Sequence, residues 1–200
     1  MIFTAYSNLV LLWLAFGLVH SILAYEPLKN KAMQWMQGRY KYYRLLYSLL
    51  ATANLFYIIW YHISLKNEML WQPPLLQKII AGFLIIAGTF CMLVCMKKYF
   101  ADLSGIYALT GKTSLPHLEQ TGLHARVRHP LYTATLLFVW SIFLWQPSLK
   151  NLVSCVCITI YTRIGIYFEE KKLLRFFGEE YAQYKVKTPM LLPRFRALKR

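Results

Sequence analysis

Acid is what this chain has least of. Eight aspartates and glutamates stand against 23 lysines and arginines, a formal net charge of +15 over 200 residues. Cysteine is scarce too: Cys91 with Cys95, and Cys155 with Cys157, at spacings that match neither a Cys-x-x-Cys zinc site nor a redox pair. Disulfides between membrane helices are uncommon, so the four are read as small buried residues and no metal site is assigned. No Gly-x-Gly-x-x-Gly signature appears, which removes the usual evidence for a dinucleotide site. No internal repeat or low-complexity tract is present, and there is no room for a second domain, so residues 1–200 are read as one domain. The basic residues are spread out and carry no recognition motif for nucleic acid. Anionic lipid headgroups are the better explanation of the charge, and nucleic acid is set aside as a partner.

Long stretches also lack charge of either sign, and these fix the class. Residues 1–25 have none, nor do 45–65, 79–96 or 130–149, and 151–168 is broken only by Arg163. Each run covers, or nearly covers, a hydrocarbon core of about 30 Å. With 58% apolar residues, the chain is expected to be an all-α integral membrane protein embedded in a lipid bilayer, with about five spans. The first run lacks a basic start and a small-residue cleavage site, so it is kept as a helix rather than read as a signal peptide. Lys29, Lys31, Arg39, Lys41 and Arg44 follow span one; Lys97, Lys98, Lys112, Arg126 and Arg128 follow span three; nine more follow Glu170. The alternate loops hold Lys66 and Lys150, with Lys78 at a span edge. The positive-inside rule then predicts a cell-membrane protein with the amino terminus outside and the carboxyl terminus in the cytoplasm. Residues 25–44 mix Met33, Trp35 and Met36 with cations, which suits a surface-lying amphipathic segment as well as a plain basic loop.

Against this background, four of the eight acids fall in one stretch, Glu169 to Tyr181, directly after the last apolar run. Its expected counterpart is Arg128-His129-Pro130-Leu131-Tyr132. Pro130 suits the first turn of a helix, where its missing N–H costs nothing, and the helix start favours an anion. Gln146-Pro147-Ser148 should turn the chain tightly, making the last two spans an antiparallel hairpin that returns Glu169 and Glu170 to Arg128 and His129. His20, His117, His124 and His129 all map to the same predicted face, whereas His62 ends a span on the other side, which argues against one haem bridging His20 and His62. Arg163, Tyr167 and Glu170 follow i, i+4, i+7 on one helical face. A lone intramembrane arginine is a functional candidate, with snorkelling to the surface as the plain alternative. The connection over residues 98–129 carries Gly105, Gly111, Pro116 and Gly122 and is long enough to cover or build a site.

Arg128-His129-Pro130-x-Tyr132, then Glu169-Glu170-x-x-Leu173-x-x-x-Phe177-Gly178-x-x-Tyr181-x-x-Tyr184 and Pro193, resembles the isoprenylcysteine carboxyl methyltransferase superfamily over residues 116–193. His20-Ser21 and Arg39-Tyr40-x-Tyr42-Tyr43-Arg44-Leu45 are similar to the branch holding NnrU-like proteins and methanethiol methyltransferases. The resemblance implies a membrane methyltransferase using S-adenosylmethionine, with a cytoplasmic carboxyl-terminal helix and a small or lipophilic thiol or carboxylate as acceptor. Carried over by position, cofactor contacts fall on His117, Leu118, Glu119, His124, His129, Pro130, Tyr132 and Glu169, with Glu170 retained beside them. Arg128, His129 and Arg163 are the implied catalytic candidates. Three positions depart from the family pattern: His124 stands for a tyrosine, Glu119 for a small apolar residue, and Gly165 for an arginine that meets the acceptor carboxylate, with Arg163 two residues earlier. The competing expectations are a non-enzymatic NnrU-like accessory protein and a membrane reductase; oligomeric state is left open.

Overall fold

The structure, a computed structural model, describes residues 2–103 and 117–194. Gly105, Gly111, Lys112 and Pro116 of the expected turn-rich connection lie outside the described residues. Six helices are described: α1 (Ile2–Ala24), α2 (Glu26–Met36), α3 (Lys41–Ser64), α4 (Leu75–Leu103), α5 (Pro130–Trp145) and α6 (Leu149–Lys187). The protein is an all-α integral membrane protein. Four helices, α1, α3, α4 and α6, are long and apolar enough to cross a membrane. The fifth expected span, α5, has 16 residues, about 24 Å of rise against a core of about 30 Å. It stops at Trp145 because Pro147 disfavours helix in the residue before it, and Ser148 N–H closes the turn on Gln146 O (2.8 Å). Leucine, isoleucine and phenylalanine side chains along α1, α3 and α4 stay largely exposed, a surface that lipid tails solvate and water would not.

The chain clusters into two compact units, the first holding residues 2–72, 97–103 and 146–158. In it, α1 and α3 run antiparallel, joined by Tyr43 Oη to Leu23 O (2.9 Å), Tyr47 Oη to the His20 ring (2.7 Å) and Tyr61 Oη to Ala5 O (3.1 Å). A polar chain ties these helices to the start of α6. Trp13 Nε1 donates to Ser154 Oγ (3.1 Å), Ser154 Oγ meets His62 Nδ1 (3.1 Å), and His62 Nε2 meets Asn151 Oδ1 (2.9 Å). Asn151 Oδ1 can only accept, so His62 carries its proton on Nε2 and takes the serine hydroxyl on Nδ1. Residues 25–44, expected as an amphipathic segment or a loop, are mostly helical: α2 begins at Glu26 with Pro27 in its first turn, and a 3-10 turn (Gln37–Arg39) leads into α3.

The second unit holds residues 73–96, 117–145 and 159–194. Here α4 meets α5 through its glycines. A Cβ at Gly88 would lie 3.1 Å from Phe138 N, and Gln77 Nε2 donates to Leu144 O (2.8 Å). The expected α5–α6 hairpin is present: Trp140 Nε1 donates to Thr159 Oγ1 (3.0 Å), the Tyr132 hydroxyl lies near Gly165, and Arg128 pairs with Glu170, positions that step in opposite directions along the two helices. Helix α6 breaks at Gly178, whose φ of 52° and ψ of −124° suit only glycine well. The run after it is the carboxyl-terminal helix. Beyond Lys187, residues 188–193 turn back against the start of α5.

Candidate functional site

The site is built at the start of α5, where the second unit brings three segments together. Arg128 is enclosed. Its Nε and Nη2 donate to Glu170 Oε1 (2.8 and 2.6 Å), and Nη1 donates to the carbonyls of Lys185 (3.0 Å) and Thr188. Lys185 Nζ reaches the other oxygen of Glu170 (2.9 Å), and His129 Nε2 lies 3.3 Å from Oε1. Burial would raise the Glu170 carboxyl pKa, but Lys185, Arg128 and His129 outweigh it and hold the value down to about 2. Glu170 follows the last apolar run, so its ionisation belongs to the membrane surface rather than the hydrocarbon.

The neighbouring carboxylate is placed differently. Glu169 has a side chain 43% exposed against 8% for Glu170, and its Oε2 lies 3.7 Å from His129 Nδ1. One imidazole therefore sits between two adjacent glutamates, one committed and one available. Tyr132 packs at a tilt against His129, with ring centroids 5.7 Å apart.

The backbone just before the expected anion-binding helix start is engaged. The N–H groups of Arg128 and His129 donate to Pro189 O (2.9 Å) and Met190 O (3.2 Å), while Thr133 Oγ1 lies 2.8 Å from Leu191 O. Residues 188–191 thus strap the entrance of α5, and the Arg128 guanidinium has every nitrogen engaged. Tyr181 fills the space behind the cluster. It is buried, and burial and then Glu170 raise its pKa against the lowering effect of Arg128, keeping it a neutral phenol.

The other expected site residues scatter around this core. His117 is exposed and faces Glu119 (3.4 Å); Glu119 accepts from Thr121 N (3.1 Å) and from its hydroxyl. Leu118 leads from one to the other. His124 lies in a 3-10 turn (Gly122–Ala125), with Nδ1 3.2 Å from Arg128 O, and Tyr184 Oη donates to its carbonyl (2.6 Å). Pro130 begins α5 and faces a separate cavity of about 590 Å³ with Thr133, Ala134 and Leu137, the i, i+3, i+4, i+7 face of the helix. Tyr132 leaves from another face. Arg163 is exposed and donates to Met190 Sδ (2.7 Å); Tyr167 is exposed and Glu170 buried, so their shared face straddles the packed edge. The structure adds Lys185 and the strap, which no motif spacing marked. Pro189 and Pro193 were the available signal, since proline ends a helix and frees the chain to return.

The NnrU protein family matches residues 8–198. The chain is 30% identical over 199 residues to methanethiol S-methyltransferase 1 of Bradyrhizobium diazoefficiens, covering 93% of this chain and 66% of that one. It is 39% identical over 74 residues to a methanethiol S-methyltransferase of Pseudomonas deceptionensis, 37% of this chain and 28% of the other. A protein-S-isoprenylcysteine O-methyltransferase of Schizosaccharomyces pombe matches at 30% over 112 residues, 50% of this chain and 46% of that one. The chain therefore spans less than two-thirds of the length of each of these relatives. No solved structure matches it. With nearly its whole length matched, the chain belongs to the NnrU protein family.

Proposed function

We propose that this chain is an integral-membrane methyltransferase that uses S-adenosylmethionine and a small or lipophilic thiol or carboxylate acceptor. The observation that carries this reading is the split within the acidic pair: Glu170 is consumed by Arg128, Lys185 and His129, while Glu169 stays half-exposed beside His129. S-adenosylmethionine carries an ammonium and a sulfonium against one carboxylate, so the donor set that fits it is an available carboxylate near neutral polar groups. Glu169 meets that need, with His129 and, beyond it, Tyr132 beside it, and His124 with the His117, Leu118, Glu119 strip is assigned to the more distant parts of the cofactor. When bound, the cofactor supplies an electrophilic methyl group.

The chain's own residues hold, orient and exclude water. Glu169 accepts from an ammonium or from ribose hydroxyls, and Arg128 with Glu170 fixes the imidazole that stands between the glutamates. A carboxylate acceptor needs no base; a thiol must lose a proton, and His129, set beside Glu169, is the group we assign to receive it. Arg163, exposed beside Met190 of the strap, is assigned to the acceptor side. The positive-inside distribution supports an amino terminus outside, with the site on the cytoplasmic face.

Calorimetry with S-adenosylhomocysteine on the purified protein tests the proposal. The wild type should bind, and Glu169→Gln, with Glu170 intact, should weaken binding about tenfold or more, the loss of one charge-assisted hydrogen bond. Unchanged affinity in that variant would remove Glu169 from the site; no binding by the folded wild type would favour a non-enzymatic accessory role.

A further inference from the structure

The cavity on the Pro130 face of α5 has a composition unlike the acidic site. Arg126, Lys187 and Arg194 line it and no carboxylate does. Among the described residues none of the three has an ionic partner, so no carboxylate offsets their charge within the cavity. Its inner wall is small and apolar, formed by Cys91 of α4 with Ala134 and Leu137 of α5. Next to Cys91, Phe90 and Leu93 of the same helix are 66% and 60% exposed, so the wall adjoins surface that meets lipid tails. The volume, about 590 Å³, falls within the roughly 300–1,000 Å³ of small-molecule sites.

We propose that this cavity holds the headgroup of an anionic phospholipid, its phosphate among the three cations and its glycerol and first acyl carbons along the Cys91, Ala134 and Leu137 wall. S-adenosylmethionine is cationic overall and would be repelled by three uncompensated positive charges, so this is not its pocket. Inorganic phosphate would satisfy the cations and leave the apolar wall bare. A lipid satisfies both halves, in the manner of basic pockets between membrane helices. The seated lipid would also cover Lys187 and Pro189, fixing the strap that closes the α5 entrance.

Native mass spectrometry of the full chain from nanodiscs tests this without reference to activity. In an equimolar mixture of phosphatidylcholine and phosphatidylglycerol, the wild type should retain phosphatidylglycerol selectively. The variant R126Q/K187Q/R194Q should lose that retention by about fivefold per charge, on the order of a hundredfold in all, and R126K/K187R/R194K should keep it and show that charge is what counts. Equal retention of the two lipids by the wild type, or undiminished retention by the glutamine variant, would overturn the proposal. So would displacement by S-adenosylhomocysteine, which would make the cavity the cofactor's, or displacement by inorganic phosphate, which would make the ligand a soluble anion.

Discussion

Replacing Glu170 by glutamine tests the core of the site, because the structure sets both the size and the pH dependence of the effect. The carboxylate is 8% exposed and receives Arg128, Lys185 and His129 within 3.3 Å. Glutamine keeps the shape and removes the charge, leaving the Arg128 guanidinium buried without a counter-ion. Removing one partner of a buried ion pair costs about 3–5 kcal/mol. The lowering of the carboxyl pKa from 4.5 to about 2 by these same contacts corresponds to roughly 3 kcal/mol, at about 1.4 kcal/mol for each unit. Because the folded pKa is lowered, this stabilisation is fully present above the ordinary carboxyl range near 4.5 and is lost as pH falls toward 2. Thermal unfolding followed by tryptophan fluorescence in detergent, at a series of pH values from neutral downward, should show the wild type losing stability below about pH 4.5. The glutamine variant should start about 3 kcal/mol lower and lose less over the same range. Glu169→Gln should shift stability by less than about 1 kcal/mol, since its charge is half-solvated. A Glu170→Gln protein with wild-type midpoint and pH profile would refute the assignment of Glu170 as the ionic centre.

Gly88→Ala should destabilise the α4–α5 contact by about 1–3 kcal/mol, because the new methyl would sit 3.1 Å from Phe138 N and 3.2 Å from its Cα, atoms that cannot swing away; an unfolding midpoint equal to wild type would show that the helices separate freely. Gly178→Ala should cost about 1–3 kcal/mol despite open space around it, since the strain lies in a φ of 52°. It should also loosen Lys185 from Glu170, so limited proteolysis after residue 178 should quicken; unchanged cleavage would show that the break at Gly178 does not position the last helix.

Much of this was legible along the chain. Uncharged runs predicted the spans, because an uncompensated charge in hydrocarbon is expensive wherever it falls. Gln146-Pro147-Ser148 predicted the hairpin, and that hairpin brings Arg128 to Glu170 across forty-two positions. The length of α5 was less legible, since the uncharged run continues to Leu149 and only the turn at Pro147 ends the helix earlier. Lys185, Tyr181 and the strap depend on a change of direction at Gly178 that no periodicity encodes.

The sequence by itself determined that this is a basic membrane protein whose scarce acid is gathered beside an Arg-His-Pro helix start. It could not divide Glu169 from Glu170, because adjacent glutamates have the same chemistry. About 100° of helical phase separates them. Tertiary structure packed one against Arg128, Lys185 and His129 and left the other half-exposed, and with that decided which of the two holds the cluster together.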